Sequence, residues 1–169
     1  MDWIIKTTVK LDAILPIVDN LTNTLDAIDL SKEPKSTRGN DSVQWQLISV
    51  KDNEWVEIVE AIKIKIKDEW KKKFDQDILL ALAGAWTVKG QEHSYHTLHN
   101  HQKNNTDVSK RISTVIYLQM PKKRWNGDGA FYFVIQEKEK LISYHIDPEP
   151  GTYVIMPSNM LHGAYPQPA

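Results

Sequence analysis

Apolar residues along this chain follow two different rhythms. In "NEWVEIVEAIKIKIKDEWKKKF" (53–74), Val59, Ile62, Ile66, Trp70 and Phe74 recur at spacings of three and four. That period lays one apolar stripe along a helix. Asp52 or Asn53 is a natural N-cap, because either side chain can accept from the first free backbone N–H groups. A stripe of this kind packs against a sheet, and the charge-dense part, "KIKIKDEWKKK" (63–73), becomes its solvated face.

From about residue 78 the rhythm shortens. "ILLALAGAWTV" (78–88), "RISTVIYLQM" (111–120), "GAFYFVIQ" (129–136), "KLISYHI" (140–146) and "GTYVIMP" (151–157) each have strand length and are bounded by Gly, Pro, Asn or Asp. "NGDG" (126–129) and "DPEPG" (147–151) are turns, since Gly tolerates positive φ and Pro pre-sets φ. The first third is mixed. "WIIKTTV" (3–9) suits a short strand, and "LDAILPIVDNLTNTLDAIDL" (11–30) reads as helical pieces around Pro16. "SKEPKSTRGNDS" (31–42) reads as loop. In "VQWQLISV" (43–50) Val43, Trp45 and Leu47 alternate as in a half-buried strand. Successive short strands without intervening helices predict a mainly β protein, an antiparallel sandwich or barrel. The helices of the N-terminal half would cover one sheet from outside.

Composition narrows the chemistry. At 169 residues the chain suits a single domain, with a helix-containing part over 1–77 and a β core over 78–169. The absence of cysteine removes disulfides and thiolate ligands, so any metal must be held by His, Asp, Glu or backbone. A net charge of −1 gives no electrostatic case for nucleic acid or an anionic membrane. No apolar run approaches the ~20 residues needed to cross a bilayer. The N-terminus "MDWIIKTTVK" is too short and polar for a signal peptide, which points to the cytoplasm.

Against this background "YHTLHNHQ" (95–102) stands out, holding three of the chain's six histidines. On an extended segment His99 and His101 share a face, with Cα atoms roughly 6–7 Å apart. Two imidazoles so placed can converge on one ion with bonds of about 2.1 Å. His96 has the opposite parity and would face away. Asn100, Asn104 and Asn105 argue against a helix here. A third ligand must come from elsewhere. His93, in polar "GQEHS", reads as a surface residue, and His145, opposite in parity to Ile142, Tyr144 and Ile146, as the solvent side of a strand. His162, in "PSNMLHGAYP", follows an apolar strand and a turn, which is either an ordinary loop position or the rim where a third ligand belongs.

Several stretches taken in order, "WTVKGQEHSYHTLHNHQ", "ISTVIYLQMP", "GAFYFV" and "PEPGTYVIMPSNMLHGAYP", resemble the 2-oxoglutarate/Fe(II)-dependent oxygenases of marine bacteria and phages. "STRGNDSVQW" is similar to that family's Gly-Trp segment ahead of the long helix, more loosely. The resemblance implies a double-stranded β-helix, a jelly-roll or cupin-like barrel, with Fe(II) at its mouth on His99, His101 and His162. It implies 2-oxoglutarate and O₂ as cosubstrates, oxidative decarboxylation to succinate and CO₂, and hydroxylation of a substrate C–H bond. The substrate is not legible.

Two departures change what is implied. The usual non-haem iron triad is two His and one carboxylate, whereas His101 stands at the carboxylate position, and three His also suit zinc. Such oxygenases also carry, on a final strand beyond the distal His, an Arg that pairs with the far carboxylate of 2-oxoglutarate. The sequence as given stops at Ala169, before such a strand and its Arg would come, so either the reading frame is truncated or 2-oxoglutarate would not be bound that way. Tyr117 could face inward and offer its hydroxyl instead, or be a core aromatic. Lys110 and Arg111 could supply the charge, or be solvent-facing. "GTYVIMPSNMLH" also fits the second cupin motif, with Asn159 where glycine is usual. A cupin-like metal enzyme without 2-oxoglutarate and a non-catalytic β-sandwich module are therefore the competing readings.

Overall fold

The computed structural model describes residues 3–10, 39–46, 53–101, 111–122 and 125–168. The expected helical pieces over 11–30, the loop over 31–38, the stretch 47–50 and Lys110 lie outside the described residues. The described part is mainly β, with strands β1 (Ile5–Thr8), β2 (Gly39–Gln46), β3 (Trp86–His99), β4 (Ile112–Ile116), β5 (Phe131–Glu137), β6 (Lys140–Ile146), β7 (Thr152–Pro157) and β8 (Leu161–Ala164), and one helix, α1 (Asn53–Phe74). Two compact units separate. One holds residues 3–9, 39–43 and those from Gly90 on, and the other holds 44–46 and 53–89.

In the second unit, α1 spans the residues whose spacing predicts it. Ile66 is buried, Val59, Ile62, Trp70 and Phe74 are half-buried, and the opposite face is exposed, as the stripe requires. The Trp70 and Phe74 rings, four apart, lie 4.4 Å centroid to centroid. Glu69 is gripped by Lys65 at 2.9 Å and Lys72 at 3.0 Å. The helix stops where Asp75 turns to φ 52° and donates its N–H to Lys71 O at 2.9 Å. The run 78–85 is irregular instead of the expected strand, with Leu79 97% exposed. Leu and Ala favour the pleated sheet little, and β3 begins where Trp86, Thr87 and Val88 supply aromatic and β-branched side chains.

In the first unit the strands form two sheets, β1-β7-β4 and β2-β3-β8-β5-β6. Every register described is antiparallel. Phe131 and Phe133 of β5, Ile146 of β6, Val154 and Met156 of β7 and Met160 make one buried cluster, joined by Ile4, Val115, Tyr117 and Ile135. That cluster draws on both sheets, which meet face to face as in a β-sandwich. Gly39–Ser42, expected as loop, open β2, where pairing within the sheet overrides a turn-like composition. β8 was not expected as a strand. Its four residues are too short to show a period, and it exists because it is paired on both sides, by β3 and by β5. No described helix is long and apolar enough to cross a membrane.

Candidate metal centre

The central position of β8 builds the site. Residues directly opposite in an antiparallel pair project to the same face. His99 at the end of β3 lies opposite His162 of β8, and His162 lies opposite Phe133 of β5. The Phe133 face is the buried one, so both imidazoles point to the inside of the sandwich. His101 lies two residues further, just past β3, and its N–H donates to Ser158 O at 2.8 Å. The ring centroids of His99 and His162 are 4.5 Å apart, those of His101 and His162 5.0 Å, and those of His99 and His101 5.2 Å. One ring nitrogen from each lies within 4.8 Å of the others.

The imidazoles are also oriented. Nδ1 of His99 lies 2.7 Å from Thr97 O, and Nδ1 of His162 lies 2.8 Å from Met160 O. A carbonyl can only accept, so each Nδ1 carries the proton, and the ring nitrogen suited to a metal is Nε2. This is how metal-bound histidines are commonly fixed. Small ring rotations bring the three nitrogens to the spacing of about 3–4 Å that bonds of about 2.1 Å require. The donor set therefore fits a divalent ion of the N-ligating kind, iron or zinc. His162 is 4% exposed and stacks on Phe131 at 5.6 Å and 24°, while His99 and His101 are half-buried on the open side.

His96 departs from its expected orientation. It pairs with Ala164 while His99 pairs with His162, so three steps on β3 match two on β8. This β-bulge reverses the parity. His96 therefore shares the face of His99 and His162, and its ring lies 6.3 Å from that of His99. The other two candidates lie elsewhere. His93 is exposed at φ 62°, and His145 is exposed on the outer face, within 3.2 Å of the Tyr165 hydroxyl. Tyr117 continues the inward row of β4 and packs against the core, and burial pushes its hydroxyl well above the ordinary tyrosine range.

Three features of the surroundings carried no sequence signal. An apolar cavity of about 220 Å³, lined by Trp3, Ile4, Phe133, Ile135, Tyr144 and Met160, adjoins the centre through Phe133 and Met160. The hydroxyl of Ser158, 3% exposed, has no hydrogen-bond partner among the described residues. Gly163, one residue past His162, lies beneath the Tyr132 ring, and a Cβ there would stand 2.6 Å from both Tyr132 Oη and His96 O. Each depends on which strands are neighbours, which no local pattern encodes.

No protein-family model matches this chain, and no curated protein matches it. Its fold matches the crystal structure of a prolyl-4-hydroxylase from Pseudomonas putida, with a TM-score of 0.67 over 98% of this chain and 86% of that one, at 11% identity. At that identity the likeness is one of fold.

Proposed function

We propose that this protein is an Fe(II)/2-oxoglutarate-dependent oxygenase related to those of marine bacteria and phages, hydroxylating a substrate not yet known. The observation that carries the reading is the convergence of three imidazoles, two of them held by a carbonyl at Nδ1, inside a fold shared with a prolyl-4-hydroxylase. His99, His101 and His162 would hold the metal. In this reading the two sheets form a double-stranded β-helix, with helices from the N-terminal half outside.

Fe(II), when bound, supplies the coupling of 2-oxoglutarate decarboxylation by O₂ to oxidation of a C–H bond. The chain's own residues set the conditions. Three ligands on one side leave the open side of the centre for cosubstrate and substrate. Phe131 and the buried side of His162 keep water from the rear, which strengthens electrostatic contacts at the front. Tyr117, inward and screened from water, offers a hydroxyl that stays protonated and can donate to a cosubstrate carboxylate.

The all-imidazole donor set also favours a second reading, a cupin-like metal enzyme that does not use 2-oxoglutarate. Anaerobic titration with Fe(II) and then 2-oxoglutarate separates the two. A weak visible charge-transfer band on adding both supports the oxygenase. Metal uptake indifferent to 2-oxoglutarate supports the second reading. No uptake, unchanged in His99→Ala and His162→Ala, leaves a binding or structural module.

A further inference from the structure

Four inward side chains stand in one row across the larger sheet. His99 of β3 lies opposite His162 of β8, His162 opposite Phe133 of β5, and Phe133 opposite Tyr144 of β6. The first two belong to the metal centre. The last two, stacked at 5.5 Å and 17°, line the apolar cavity of about 220 Å³. Neighbouring strands lie about 4.8 Å apart, so the cavity begins one strand from His162 and its far wall stands roughly 10 Å away. Its inner wall is Phe133 and Met160, 8% and 6% exposed, and its outer wall is Tyr144, 39% exposed. Met160 also meets the centre directly, since its carbonyl accepts from His162 Nδ1 at 2.8 Å. Among the described residues β6 and β1 are the outermost strands of their sheets. Tyr144 belongs to the first, and Trp3 and Ile4 lead into the second. The cavity therefore lies between two sheet edges, where no described strand closes it.

The lining decides what enters. None of its six side chains carries a charge. The Tyr144 hydroxyl already donates to Glu137 Oε1 at 2.6 Å, so its one proton is committed. A charged group entering here would lose its hydration with no ion partner in exchange, whereas an apolar group gains by burial. An apolar cavity of about 150 Å³ takes up benzene, so this one accommodates one ring or a compact alkyl group of slightly larger size. We propose that the cavity anchors the substrate, an uncharged small molecule with an apolar head about one ring in size. The head rests on Phe133, Tyr144 and Met160, and the rest of the molecule crosses the Phe133–His162 row to the centre. The C–H bond that reacts then lies at the other end of the molecule, roughly 10 Å from the head. That the anchored molecule is a substrate rests on the oxygenase reading.

The test follows the methionine methyl groups of the full chain by NMR, with toluene and benzoate as probes and Met160→Leu to identify the Met160 signal. Toluene should move the Met160 methyl with a Kd on the order of 0.1–1 mM, the value that burial of six or seven carbons supports. Benzoate, the same ring with a charge, should bind at least about tenfold more weakly. Ile135→Phe fills the cavity and should weaken toluene about tenfold or more, while Val134→Phe, one residue away on the opposite face, should not. With Mn(II) in the centre, the ring protons of bound toluene should relax as expected for a distance of roughly 10 Å. His162→Ala should remove that relaxation and keep the Met160 shift. An unmoved Met160 methyl in the wild-type protein overturns the proposal whatever the variants do, as does equal binding of benzoate or an Ile135→Phe protein that binds toluene normally. Toluene that binds without relaxation by Mn(II) overturns the role as substrate anchor. The two readings fail separately. A protein that takes up Fe(II) and 2-oxoglutarate but leaves Met160 unmoved keeps the oxygenase and loses the anchor. One that ignores 2-oxoglutarate and shows both the shift and the relaxation supports the anchor and sinks the oxygenase.

Discussion

Gly163→Ala tests the spacing on which the proposed metal centre depends. Gly163 does not have a positive φ, so the cost of a side chain there is one of space. The new Cβ would lie 2.6 Å from His96 O, 2.6 Å from Tyr132 Oη and 2.7 Å from Tyr132 Cζ. Ordinary contact needs about 3.5 Å, so about 0.9 Å must be found in two directions at once. The His96 carbonyl is backbone of β3 and cannot swing aside. The Tyr132 ring is braced by Tyr165 at 4.7 Å. Overpacking of this kind costs about 1–3 kcal/mol. Loss of glycine's freedom in the unfolded chain returns about 0.4–1 kcal/mol. The net is about 1–2 kcal/mol, or a fall of roughly 2–8 °C in Tm for a chain this long. Since the methyl wedges β3 from β8, His99 and His162 also separate, and metal affinity should fall about tenfold. Urea and thermal denaturation of the metal-free protein measure the first effect, and anaerobic metal titration the second. Adding Tyr132→Ala removes the ring but leaves the carbonyl, so only part of the stability returns. An unchanged midpoint with unchanged metal affinity would mean that β3 and β8 do not meet at this glycine.

His99→Ala should abolish metal binding with the fold intact, whereas His96→Ala should bind metal as wild type does, by spectroscopic titration of both. Metal at a hundredfold excess over its Kd should stabilise the wild-type protein by about 2.7 kcal/mol, raising Tm by roughly 5–11 °C, and leave His162→Ala unmoved. Hydrogen bonds from Lys65 and then Lys72, opposed by burial, hold the Glu69 carboxyl below its usual range. That contribution, about 0.5 kcal/mol for so exposed a pair of lysines, is present above the ordinary carboxylate pKa and lost as pH falls through the lowered one. The gap between wild type and Glu69→Gln in urea midpoint should therefore close in acid. Burial raises the Tyr117 and Tyr153 hydroxyls, so both favour the folded state below the ordinary tyrosine pKa, and this is lost as pH rises through their folded values. Phenolate absorbance should accordingly show these two ionising only with alkaline unfolding.

The sequence was legible wherever one element's own pattern decided its state. α1 follows from a stripe that needs no partner to be recognised, and β6 spans the seven residues of "KLISYHI". The mainly β, antiparallel character followed from strand lengths and turn residues alone. What escaped was decided between elements. The run 78–85 is apolar enough for a strand yet stays irregular, and β8 is a strand only because β3 and β5 pair with it.

In the histidine segment the groups that alternation pairs are brought together by another route. Alternation along an extended segment pairs His99 with His101 and sends His96 to the far side. In the structure β3 ends at His99, so His101 is not placed by the pleat. It is placed by the bond from its N–H to Ser158, which folds the chain toward the turn preceding His162. The bulge before His99 meanwhile brings His96 to the inner face. Without that bulge, His96 and His99 could not both face the core, and either the strand or the centre would have to give way. The irregularity thus does two jobs at one place. It ends the regular pairing of β3 beside the centre, and it aims one more imidazole toward it, as bulges next to active sites do. Restoring regular pairing by deleting Leu98 should separate these roles. His96 and His99 would then stand two apart, opposite Ala164 and His162, and share the inner face by simple alternation, so the sheet and metal binding should both persist. A deletion variant that folds but no longer binds metal would show that the bulge itself, beyond the face it sets, builds the centre.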